Sequence, residues 1–241
     1  MRVDVTFQES NQTLPVEFGA VNNVSDGGYE RGYAAGYKDC EEKDNWKYVT
    51  LLRNNFEGAV FPENHELTVV VPNLKNGADI SSVISGAKNL KKLTLKCGRP
   101  DITFSSYFSF GSCASVEEID LSQFSDTGAV KIKKANYMFY ACGNLKTVRG
   151  VLDFSECSSI TGMFDGSGRI QDVRIAPNSL RISISVANCG VLSDESVQSI
   201  IDGLADLTGG TSAKVTFHAT IKAKLTEEQL AQIAAKNWTV G

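Results

Sequence analysis

Histidine is scarce in this chain, with two among 241 residues. His65 and His218 stand far apart, and "HEL" at 65–67 lacks the second histidine of a zinc-protease helix. A histidine-activated nucleophile would therefore need distant parts of the chain to converge. No two of the six cysteines have C-x-x-C spacing, so a structural zinc site is not indicated. The "GSG" at 166–168 is not followed by Lys-Ser/Thr, which excludes a phosphate loop of that kind. No cofactor is indicated. No apolar run approaches the roughly 18 residues of a membrane span. Positive charge is not in excess: the net charge is −4, which gives no general pull toward nucleic acid or an anionic membrane. The opening MRVDVTFQES alternates apolar and polar residues and lacks the basic-then-apolar order of a signal peptide. A cytoplasmic origin follows as an expectation. In that setting the cysteines are expected as free thiols, and the sequons at Asn11, Asn23 and Asn237 carry little meaning.

What the chain does have is a core and a repeat. Apolar residues make up 42% and charged ones 22%, ordinary for a folded domain. Four segments align: "VISGAKNLKKLTL" (83–95), "SFGSCASVEEIDL" (109–121), "MFYACGNLKTVRGV" (138–151) and "MFDGSGRIQDVRI" (163–175). Their anchors, Leu90, Val116, Leu145 and Ile170, recur every 25 to 29 residues. Six before each anchor stand Ile84, Phe110, Phe139 and Phe164. Four before stand Gly86, Ser112, Ala141 and Gly166; three before stand Ala87, Cys113, Cys142 and Ser167. After the anchor come Leu93, Ile119, Val148 and Val173, then Leu95, Leu121 and Ile175. The third segment departs at the last position, where Gly150 stands and the apolar residue slips to Val151, which predicts a bulge.

The pattern reads as stacked coils. The apolar-x-x-apolar-x-apolar tail is a turn into a short strand whose alternate side chains face inward. The small pair marks a sharp turn beside neighbouring coils, and the aromatic fills the layer between them. One coil cannot bury its apolar face alone, whereas stacked coils share a continuous core. The expected fold is α/β, a solenoid with one curved parallel sheet. Cys113 and Cys142 share one repeat position, which reads them as small buried residues rather than reactive thiols.

The "MF-x-x-C-x-x-L-x-x-[IV]" pattern resembles the bacterial leucine-rich repeats of the BspA-like class, over about residues 83–175. The ending "LSDESVQSIIDGLADLTGG…HATIKAKLTEEQLAQIAAKNWTVG" and the N-terminal "GY-x-x-GY" resemble leucine-rich-repeat proteins from tail gene clusters of phages and prophages of Gram-positive bacteria. That resemblance implies a non-enzymatic tail protein, built in the bacterial cytoplasm. Its partners would be other tail or baseplate proteins and a host-surface receptor, either protein or glycan. A bacterial surface or secreted adhesin is the alternative. A glycan hydrolase is the second alternative: Glu117 and Glu118 are adjacent acids, and carboxylate separation is invisible in sequence.

The rest of the chain divides around the repeats. Residues 1–27 read as a β segment that would dock to the particle, 28–60 as a helical Tyr/Gly segment and linker, 61–190 as the solenoid, and 191–241 as an α/β cap. In "GYERGYAAGYKDC", Tyr29, Tyr33 and Tyr37 fall on one helical stripe, and Gly32 and Gly36 on another. Each glycine costs a helix roughly 1 kcal/mol relative to alanine, which suggests close approach of another backbone. Two readings stand: self-association in a homo-oligomer, or packing on the chain's own solenoid. In the cap, Ser193 precedes a helix carrying Val197, Ile200, Ile201, Leu204 and Leu207, stopped by Gly209-Gly210. "AKVTFHATI" reads as a strand, Thr226 with Gln229 as a capping box, and Trp238 as part of a final strand.

The candidate binding residues are those between the inward positions of each strand. One row is Lys92, Glu118, Thr147 and Asp172; the other is Thr94, Asp120, Arg149 and Arg174. Parallel stacking sets Lys92 beside Glu118 and Asp120 beside Arg149. The face is polar, so it is either a binding surface or simply a solvated one. Phe104, Tyr107 and Phe108 are further contact candidates.

Overall fold

The computed structural model describes residues 4–7, 12–15, 60–70, 79–80, 84–96, 103–107, 110–125 and 127–241. Residues 28–44, with the Tyr/Gly stripe of Tyr29, Gly32, Tyr33, Gly36 and Tyr37, lie outside them, as does Phe108.

The chain runs β1 (Asp4–Phe7), β2 (Gln12–Pro15), β3 (Val60–Val70), β4 (Asp79–Ile80), β5 (Lys88–Lys96), β6 (Thr103–Tyr107), β7 (Glu118–Gln123), β8 (Ala129–Asn136), β9 (Thr147–Asp153) and β10 (Asp172–Ile175). It continues through β11 (Ile184–Val186), α1 (Asp194–Gly203), β12 (Ala213–Phe217), α2 (Ala219–Lys222), α3 (Glu227–Ala235) and β13 (Trp238–Val240). The first ten strands form one sheet in the order β2-β1-β3-β5-β7-β9-β8-β6-β4, with β10 also on β9. β1 pairs antiparallel with β2 and β3, and the other pairs are parallel. The class is α/β with a mostly parallel sheet and few helices.

The repeat positions meet in space. The anchors Leu90, Val116, Leu145 and Ile170 are all buried, as are Ile84, Phe110, Phe139 and Phe164. Phe110 stacks on Phe139 at 5.6 Å and 9°, and Phe139 on Phe164 at 5.7 Å and 15°. Burying each ring contributes about 1.5–3 kcal/mol, and the ring pairing adds about 0.5–1.5 kcal/mol. The position four before the anchor is left-handed in every segment: φ is +63° at Gly86, +62° at Ser112, +54° at Ala141 and +76° at Gly166. Side-chain size is limited there for a visible reason. A Cβ on Gly166 would sit 3.2 Å from Ala141 Cα in the preceding repeat segment. The turns are bonded to one another as well, Phe110 N donating to Met138 O and Phe139 N to Met163 O, both at 2.9 Å.

The next residue is small, and in the third and fourth segments its side chain is also a donor. Cys142 Sγ donates to Phe110 O at 3.0 Å, and Ser167 Oγ donates to Phe139 O. Each thus ties its segment to the phenylalanine carbonyl of the segment before it.

The bulge anticipated at Gly150 is present. Asp172 pairs with Thr147 but Arg174 with Val151, so β9 carries two extra residues against β10. Gly150 has φ +97°, and a Cβ there would lie 3.0 Å from the Leu121 carbonyl carbon. The bend splits the duties of β9: Thr147–Arg149 pair with β7, and Val151–Asp153 with β8.

At the C-terminal end β11, β12 and β13 form a second, parallel sheet. Ser193 caps α1 by accepting from Ser196 N, and Thr226 and Gln229 form the capping box of α3. Two expectations need correction. Helix α1 ends at Gly203, not at Gly209-Gly210, because the chain turns extended at Leu204 and bridges Leu180, Leu180 N donating to Gly203 O and Ala205 N to Leu180 O, both at 2.8 Å. The strand at "AKVTFHATI" stops at Phe217, because His218 accepts from Thr220 N and starts α2.

Helix α1 covers the last strand of the repeats. Val173 N donates to Ser196 Oγ at 3.1 Å and Ile175 N to Ser199 Oγ at 2.9 Å. Two serines one helical turn apart therefore satisfy N–H groups on the outer edge of β10.

Candidate binding face

The outward residues of the repeat strands come into register. Glu66 pairs with Lys92, Lys92 with Glu118, Glu118 with Thr147, and Thr147 with Asp172. The row thus starts one strand earlier than the sequence repeat suggests. The only hint of this was the inward Leu67, which is buried like its counterparts Leu93 and Ile119.

Lys92 Nζ lies 2.8 Å from Glu118 Oε1, the neighbour pair read from the sequence. The second expected pair is corrected. Asp120 and Arg149 are register partners, but Arg149 Nε and Nη2 donate to Glu118 Oε1 and Oε2 at 2.9 and 3.4 Å. Asp120 is engaged locally, Oδ1 accepting from Ser122 N at 2.9 Å and Ser122 Oγ at 2.6 Å. The short Asp side chain closes on its own backbone two residues on, whereas Glu is long enough to reach diagonally across the strand. Glu118 therefore sits between two cations. Its partial burial opposes ionisation, but the hydrogen bonds from Arg149 and Lys92 outweigh this and hold its carboxyl below the ordinary range. The same contact with Glu118 raises the pKa of Lys92 and of Arg149.

The remaining candidates divide. Thr147 Oγ1 donates to Asp172 Oδ2, and Ser193 Oγ to Asp172 Oδ1, each at 3.4 Å. Thr94 is 8% exposed, so a polar residue at an outward strand position is nonetheless covered and adds little surface. Arg174 leaves its row because of the bulge at Gly150: its register partner is Val151, and its Nη1 donates to Glu195 O at 3.0 Å. It lies at an open groove of about 300 Å³ lined also by Pro177, Glu195, Gln198 and Asp202.

The adjacent acids Glu117 and Glu118 are each engaged by cations. Glu117 Oε2 accepts from Lys146 Nζ at 2.7 Å, which lowers the Glu117 pKa, and Glu118 is lowered too. Cys113, Cys142, Cys157 and Cys189 are free and buried. Burial pushes the thiol of Cys113 up to about 11 and those of Cys142 and Cys189 up to about 12, so all three stay protonated at neutral pH. Among the described residues no group of three or more His, Cys, Asp or Glu side chains could hold a metal ion. No described helix is long and apolar enough to cross a membrane.

Comparison with protein-family models, with curated proteins and with solved structures finds no match to this chain.

Proposed function

We propose that the chain is a non-enzymatic binding protein, a leucine-rich-repeat solenoid of a phage or phage-derived tail that offers its strand face to a host receptor or another protein. The observation that carries this reading is the row from Glu66 to Asp172, which sets polar side chains side by side across five strands. Its central charges are already engaged with one another through Glu118, so the face is held in one arrangement. A pre-ordered surface loses less side-chain freedom on binding, which favours recognition. The solenoid reading is supported by the recurring left-handed turn, the stacked phenylalanines and the shared register. The tail location is supported by the resemblance of both chain ends to tail-cluster proteins.

Immunogold labelling of purified virions tests the location. Label on the tail is the expected result, and label at its distal tip places the protein in receptor binding. Virions without tail label would contradict the reading.

A further inference from the structure

A second polar row runs one residue before the strand-face row, through Lys91, Glu117, Lys146 and Gln171. The backbone sets these four side by side: Glu117 N donates to Lys91 O at 2.7 Å, Lys146 N to Glu117 O at 2.8 Å and Gln171 N to Lys146 O at 2.8 Å. Arg169 joins the row from the turn before Gln171. Its Nη1 donates to Asn144 Oδ1 at 2.7 Å, and Asn144 Nδ2 donates to Ala114 O at 2.8 Å. A neutral carboxamide, itself held by a carbonyl, thus aims the guanidinium without neutralising it. Neither Arg169 nor Lys91 forms an ion pair with a carboxylate of the described residues. Lys146 pairs with Glu117 at 2.7 Å. The hydrogen bond from Lys146, aided by the charges of Lys146, Lys91 and Arg169, holds the Glu117 carboxyl below its ordinary range. Three cations therefore converge on one carboxylate, in a chain whose net charge is −4.

We propose that Lys91, Lys146 and Arg169 form a docking strip for an anionic polysaccharide, a chain of sugars bearing carboxylate, sulfate or phosphate groups. Charge complementarity gives the sign of the ligand, since the strip is cationic on a chain that is negative overall. Arg169 keeps N–H groups beyond the one given to Asn144, in a planar fork that matches such anions. Lys146 is held by Glu117 in an exposed pair, which is readily exchanged for a ligand anion. The spacing points to the polymer. Lys91 and Lys146 stand two strand spacings apart, about 10 Å, with Glu117 between them. That span is of the order of one disaccharide. The strip therefore suits a polymer charged on alternate sugars, with hydroxyls of the intervening neutral sugar donating to Glu117. None of the strip's side chains is aromatic, so a nucleic acid would find no platform for its bases. None is apolar, so a protein partner would find no centre to bury. The proposal rests on reading the chain as a binding protein, but not on its location in a virion or on the strand-face row.

The test passes the purified full-length protein over four immobilised polymers. They are hyaluronan, with a carboxylate on alternate sugars, polygalacturonate, with one on every sugar, uncharged dextran, and single-stranded DNA. Hyaluronan is retained best, its retention falls as salt rises, and dextran is not retained. Lys91→Gln combined with Arg169→Gln weakens the binding of hyaluronan about tenfold. Arg169→Lys, which keeps the charge and loses the fork, weakens it severalfold. Lys134→Gln on β8 removes an equal exposed charge elsewhere and stays within about twofold of the parent protein. No retention of either acidic polysaccharide, polygalacturonate or DNA held more tightly than hyaluronan, or binding indifferent to the double substitution would each overturn the proposal. None of those results bears on where the protein sits in a virion.

Discussion

Single residues decide how tightly successive repeat segments pack. Phe139 lies between Phe110 and Phe164 and is fully buried, so Phe139→Ala leaves a cavity with aromatic walls on two sides. We expect a loss of about 3–5 kcal/mol in urea unfolding. Gly150→Ala combines a left-handed φ with a backbone contact to Leu121, and should cost about 1–3 kcal/mol by the same measurement. Glu118 predicts a pH signature. Its folded pKa lies below the ordinary carboxylate value of about 4.3, so its contribution is complete above that value and is lost as pH falls through the folded pKa. The pair is partly exposed, so the difference between the parent protein and Glu118→Gln should be no more than about 1 kcal/mol at pH 7. It should shrink toward zero below about pH 4. The aromatic and small positions were legible in sequence because sterics forces the same residue types at each repeat. The carboxylate chosen by Arg149 was not, because it depends on a one-methylene difference in reach and on the local bond from Ser122 to Asp120.

At the scale of elements, the end of the repeats is closed by a helix rather than another strand. The cap was legible as a capped, amphipathic helix from Ser193 onward, and its buried face carries Val197, Ile200 and Ile201. What was not legible is that Ser196 and Ser199 serve as edge acceptors, since an isolated serine on an apolar face has no signature of its own. Ser196→Ala strands the Val173 N–H in a buried place and should cost about 1–3 kcal/mol. Thr226→Ala removes one half of the α3 capping box and should cost only about 1 kcal/mol. Both losses can be read from thermal or urea unfolding, and their order is the informative result. The early stop of α1 was not legible because it is made by a bridge between Leu204 and Leu180, a contact distant in sequence. Arg174 shows the same limit on the sheet: a bulge in β9 was visible at Gly150, but its two-residue size and its effect on the neighbouring row were not.

At the scale of the whole molecule, one sheet runs unbroken from β2 to β4, and its repeat strands share a single interior. The face it offers depends on that register being kept. The measurement closest to this claim is a set of double-mutant cycles among Phe110→Leu, Phe139→Leu and Phe164→Leu, read as unfolding free energies. Stacked coils predict coupling of at least about 0.5 kcal/mol for the neighbours 110–139 and 139–164, and additivity within about 0.5 kcal/mol for 110–164. Additive behaviour in both neighbouring pairs, or a 110–164 coupling as large as theirs, would contradict the stacking of these coils and the surface built upon it.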